Sequence, residues 1–66
     1  MTEWDVGVLR ERAGGRTVDS IANRRSMSTR HVRRRLAKLY ERMGVRSTEE
    51  AIAQAAHWGV LDPERQ

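Results

Sequence analysis

Four stretches of this 66-residue chain open on a hydroxyl residue and three of them stop at glycine, a punctuation that constrains the fold more than any other feature. An N-cap oxygen accepts from a free amide of the first helical turn, and a glycine past the end closes the last turn. Thr2 with Asp5 reads as a capping box for a helix from Glu3 to Ala13, with Val6, Leu9 and Ala13 at helical spacing and Gly14-Gly15 as the stop. Thr17 caps a short second helix that carries Val18, Ile21 and Ala22 and ends at Arg24. After a turn through Arg25, Ser26 and Met27, Ser28 caps the longest pattern, Thr29 to Met43, which Gly44 ends. Ser47 with Glu50 makes a second capping box for a fourth helix over 48–58, closed by Gly59. Strand signals are missing. The expected fold is all-α: a four-helix helix-turn-helix domain over 1–61, winged element absent, with a short C-terminal tail over 62–66.

A chain of this length buries only about 60% of the surface its unfolded form exposes, so its core must be thin. No cysteine supplements that core, by disulfide or by thiolate-bound metal. The first residues lack the basic-then-apolar pattern of a signal peptide, and no run of about 18 apolar residues occurs. No membrane partner is expected, and the expected location is cytoplasmic.

Charge is informative through its placement. Nine of the 13 basic residues lie between Arg24 and Arg46, where Glu41 is the only acid, so this segment carries +8. The other acids sit towards the two ends, the asymmetry of a domain that turns one part of itself to a polyanion.

Val32, Leu36, Leu39, Tyr40 and Met43 share one face of the third helix at 100° per residue. Arg30, Arg34, Ala37, Lys38 and Glu41 lie opposite, with Arg33 and Arg35 on the flanks. A short helix, a turn and a longer basic helix make a helix-turn-helix pattern, whose second member is held by the first and presents its early turns to base edges in a major groove about 12 Å wide. This makes the third helix the expected recognition helix. Arg30, Arg33, Arg34 and Ala37 occupy its first two and a half turns and are the candidate base contacts. Arginine grips guanine O6 and N7 bidentately, and alanine allows close approach. Thr17, Ser28 and Thr29 stand at helix N-termini that attract phosphate, and His31, Lys38 and Arg46 extend the candidate phosphate contacts.

In order and spacing, Leu9, Ala13, Gly15, Thr17, Ile21-Ala22, Ser28, His31-Val32, Leu36, Tyr40, Met43-Gly44-Val45-Arg46-Ser47, Glu50-Ala51-Ile52 and Gly59-Val60-Leu61 resemble the LuxR/GerE-type DNA-binding domain. The resemblance covers nearly the whole chain. It implies four helices, the third in the major groove and the fourth forming a two-fold dimer on an inverted repeat. By position it puts base reading on Arg33, Arg34 and Ala37, and backbone contacts near Thr29, Arg30 and Lys38. Trp4, Glu11, Ser20 and Arg25 depart from the family's pattern.

On the fourth helix, Ala51, Ala55 and Trp58 are the expected dimerisation residues, beside Ile52 and Ala56; the alternative for all of them is core. Tyr40, Met27 and Met43 are expected in the core. His31 and His57 stand apart from any carboxylate at ligand spacing, so neither a metal nor another cofactor is expected. No glycine-rich phosphate loop or nucleophile elbow is present, so no enzyme is expected. The expected function is sequence-specific double-stranded DNA binding as a transcriptional regulator, as a homodimer, with RNA polymerase a further candidate partner. The alternative is a helix-turn-helix protein-interaction module docking an acidic partner of the transcription machinery; fold alone does not choose between them.

Overall fold

The computed structural model describes residues 1–61, and in it the four helices begin at the hydroxyl caps. They are α1 (Glu3–Ala13), α2 (Val18–Arg24), α3 (Thr29–Met43) and α4 (Thr48–His57), with no strand among the described residues. At the head of α1 the Asp5 amide donates to Thr2 Oγ1 at 3.2 Å and the Thr2 amide to Asp5 Oδ2 at 3.0 Å, a complete capping box. Thr17 accepts from the Ser20 amide and Ser28 from the His31 amide. Gly44 closes α3 at φ +73°, in the left-handed region that glycine enters without steric cost.

Two boundary expectations are corrected at α4. It ends at His57, with Trp58 as its C-cap residue. Its capping box is also displaced: Ser47 Oγ accepts from the Glu50 amide at 3.1 Å, but the Glu50 carboxylate accepts from the Arg46 amide at 2.7 Å. The glutamate thus reaches one residue further back and ties down the loop entering the helix.

α2 packs chiefly on α3 and α1 chiefly on α4, with lesser α1–α2 and α3–α4 contacts. The core between them takes Val8 and Leu9 from α1, Ile21 and Ala22 from α2, Val32, Leu36 and Leu39 from α3, and Ala51 and Ala55 from α4. Leu9, Ile21, Val8 and Val32 are fully buried, each stabilising the fold by roughly 1.5–3 kcal/mol. Tyr40, Met27 and Met43 pack against this core half-buried, and the Tyr40 hydroxyl lies 3.0 Å from Thr48 Oγ1.

The buried face of α1 differs from the expected stripe. Val8, absent from that stripe, is buried with Leu9, whereas Ala13 is exposed and Val6 half-buried. α1 is covered by α2 and by α4, so two adjacent positions can both be enclosed. Arg10 adds a strap by donating from Nη2 to the Val60 carbonyl at 3.1 Å, which fixes the segment after α4.

Ala51 and Ala55 are 0% exposed inside the monomer, which corrects their assignment to a dimer surface. As small residues they let α4 sit close against α1. Trp58, by contrast, is 50% exposed. The expected tail over 62–66 lies outside the described residues.

Candidate nucleic-acid interface

α2 and α3 are joined by a tight turn whose geometry places the start of α3 at the surface. The Met27 amide donates to the Ala22 carbonyl at 2.8 Å, and Ser26 takes φ +54°, the only non-glycine positive φ among the described residues. Because the buried stripe of α3 is held by the core, its other side must face out. Arg30, Arg33, Arg34, Ala37 and Lys38 are all exposed there, as are His31 and the loop residue Arg46.

Ser28, Arg30, His31 and Arg34 line one open depression of about 360 Å³ at the head of α3. Two arginines, an imidazole and a capping hydroxyl therefore converge on a single spot. Arg33, Ala37 and Lys38 do not line it. Lys38 instead borders a smaller cavity of about 150 Å³ with Asp5, Arg35 and Arg42.

The hydroxyls differ in what they have left to give. Thr17 Oγ1 and Ser28 Oγ each accept a backbone amide, at 3.1 and 3.0 Å, a use that leaves the O–H free to donate to a phosphate. Thr29 instead donates its hydroxyl to Asp19 Oδ1 at 3.0 Å. The Thr29 hydroxyl is thus engaged within the fold.

Three of the nine cations in the basic segment are also committed within the fold. Arg25 donates to Glu11 Oε2 from Nε at 3.0 Å and from Nη2 at 2.8 Å, and Arg24 Nε lies 3.2 Å from Glu11 Oε1. Arg35 stacks on the Trp4 ring with its guanidinium carbon 3.9 Å from the centroid, while that of Arg25 lies 6.0 Å from the same ring. Trp4 completes the cluster by donating from Nε1 to Met27 Sδ at 3.4 Å. Trp4, Glu11 and Arg25 are thus one connected structure joining α1 to both helices of the pair. Arg30, Arg33, Arg34, Lys38, Arg42 and Arg46 remain, with no carboxylate within 4 Å among the described residues.

The Trp4 cluster was not legible from local sequence because its members lie far apart, 14 residues for Glu11 and Arg25. The available signal was compositional, an aromatic and an acid on α1 with cations after α2 and on α3, which fixes no pairing. Among the described residues no three of His, Cys, Asp and Glu gather as a metal-ligand set, and no helix is long and apolar enough to cross a membrane. Compared with protein-family models, with curated proteins and with solved structures, the chain matches none.

Proposed function

We propose that this chain is a LuxR/GerE-type helix-turn-helix domain that binds double-stranded DNA sequence-specifically as a cytoplasmic transcriptional regulator, with α3 in the major groove and no enzymatic activity. The observation that carries the reading is the division of labour along α3. Arg30 and Arg34 converge with Ser28 and His31 on one open depression, while Arg35, their neighbour, is stacked away on Trp4. A merely solvated basic face gives no reason for that segregation. Arg33, Arg34 and Ala37 are assigned to base edges with Arg30 beside them, and Thr17, Ser28, His31, Lys38 and Arg46 to phosphates.

The proposal includes a homodimer through the outer edge of α4. Its anchor is Trp58, 50% exposed, because Ala51 and Ala55 are enclosed in the core. Aromatic residues are enriched at interface centres, and this tryptophan stands beside Met1, Leu39 and Met43. RNA polymerase is a further partner of the same proposal.

Selection of bound duplexes from a random pool, followed by affinities across a salt series, tests the reading. A two-fold symmetric enriched motif with a steep salt slope is the expected result. No enriched motif, with weak and equal affinity for any duplex, overturns it in favour of a basic face that docks an acidic protein.

A further inference from the structure

Asp19 stands in the first turn of α2 and Thr29 in the first turn of α3, and the Thr29 hydroxyl donates to Asp19 Oδ1 at 3.0 Å. The two helix starts therefore meet at one exposed carboxylate. It is the only acid of α2, and the only acid of α3, Glu41, lies at the far end of that helix. No cation lies within 4 Å of Asp19 among the described residues. A fixed negative charge thus stands unneutralised at the end of the pair where the cationic turns begin.

Resting on the duplex-binding reading above, we propose that Asp19 is an electrostatic brake on that binding, a charge that lowers affinity for any duplex without touching the choice of sequence. Two features of the contact act in the same direction. The carboxylate repels an approaching phosphate, and it consumes the hydroxyl proton with which Thr29 would otherwise grip one. Like charges about 6 Å apart oppose each other by about threefold in binding in water, and by about tenfold where the effective dielectric falls to about 40. Because phosphate contacts carry no sequence information, the brake acts equally on the preferred and on a scrambled duplex. The chain gains reversibility and gives up none of its discrimination.

The experiment compares the parent with Asp19→Asn, Asp19→Ser and Thr29→Ala on the selected duplex and on a scrambled one, across a salt series. Asn and Ser both remove the charge while keeping an acceptor for Thr29, so if one variant folds poorly by circular dichroism the other decides. The expected result is three- to tenfold tighter binding to both duplexes near 0.1 M salt, a logarithmic salt slope steeper by up to about 0.9, and an unchanged ratio between the two sequences. Thr29→Ala, which keeps the charge, gives no such gain. Binding by the parent together with equal or weaker binding by the neutral variants overturns the brake alone. Failure of parent and variants alike to bind any duplex overturns the duplex-binding reading and the brake with it.

Discussion

Gly7 sits in the middle of α1, where glycine costs about 1 kcal/mol relative to alanine, and the structure gives it a reason. A Cβ there would stand 2.7 Å from Arg25 Nη2, the nitrogen that donates to Glu11. Gly7→Ala therefore gains helix propensity but displaces the guanidinium from its carboxylate. In the parent the two effects should nearly cancel, leaving stability within about 0.5 kcal/mol. With Arg25→Ala already in place, the same substitution should recover about 1 kcal/mol. Urea melts of the four proteins check this, and equal gains in both backgrounds would contradict the contact. Ser26 offers a second test. Its φ of +54° costs a non-glycine residue roughly 1–2 kcal/mol, against about 0.5–1 kcal/mol of extra backbone entropy for glycine. Ser26→Gly should thus raise stability by about 0.5 kcal/mol; a loss on thermal melting would show that the serine makes a compensating contact.

Helix ends other than the C-terminus of α4 were legible because caps are local, whereas helix faces were legible only where one side is buried. Ser28 and Gly44 bracket α3 just as the sequence reads, and its apolar stripe is the side that packs. α1 defeats the same reasoning: Val8 and Leu9 are consecutive yet both enclosed, because neighbouring helices cover it from two directions. On α4 the wide apolar arc named a buried side without saying which residues formed it, so Ala51 and Ala55 fell to the core and Ala53 and Ala56 to the surface. Side-chain commitments across elements escape local reading altogether, as with Asp19 and Thr29 or Arg35 and Trp4. The last pair separates packing from binding within a single helix. Arg35→Ala removes a cation stacked 3.9 Å from an aromatic centroid and should cost about 1 kcal/mol of stability, with less than a twofold change in duplex affinity. Thermal melting and a binding titration on the same sample check it, and a tenfold loss of affinity with unchanged stability would place Arg35 in the interface instead.

The whole domain joins two helix pairs, α1 with α4 and α2 with α3, and the Trp4–Arg25–Glu11 cluster runs between them. That cluster holds the end of α2 and the turn against α1, so α3 projects from a braced base. Bracing matters for the proposed function because a base-reading helix must present its arginines in one geometry, and ordering them only on contact would cost entropy. The charge of the whole follows the same division. Cations that brace are paired or stacked, and those left on α3 face outward.

The most direct test of α3 as a reading helix is the affinity of the parent, Arg34→Ala and Lys38→Ala for the selected duplex and its scrambled counterpart across a salt series. Arg34→Ala should lose about 1–3 kcal/mol on the selected duplex and far less on the scrambled one. Lys38→Ala should weaken both duplexes alike and flatten the logarithmic salt slope by about 0.9. Equal losses from both substitutions on both sequences would contradict the account, leaving α3 a basic surface that attracts DNA without reading it.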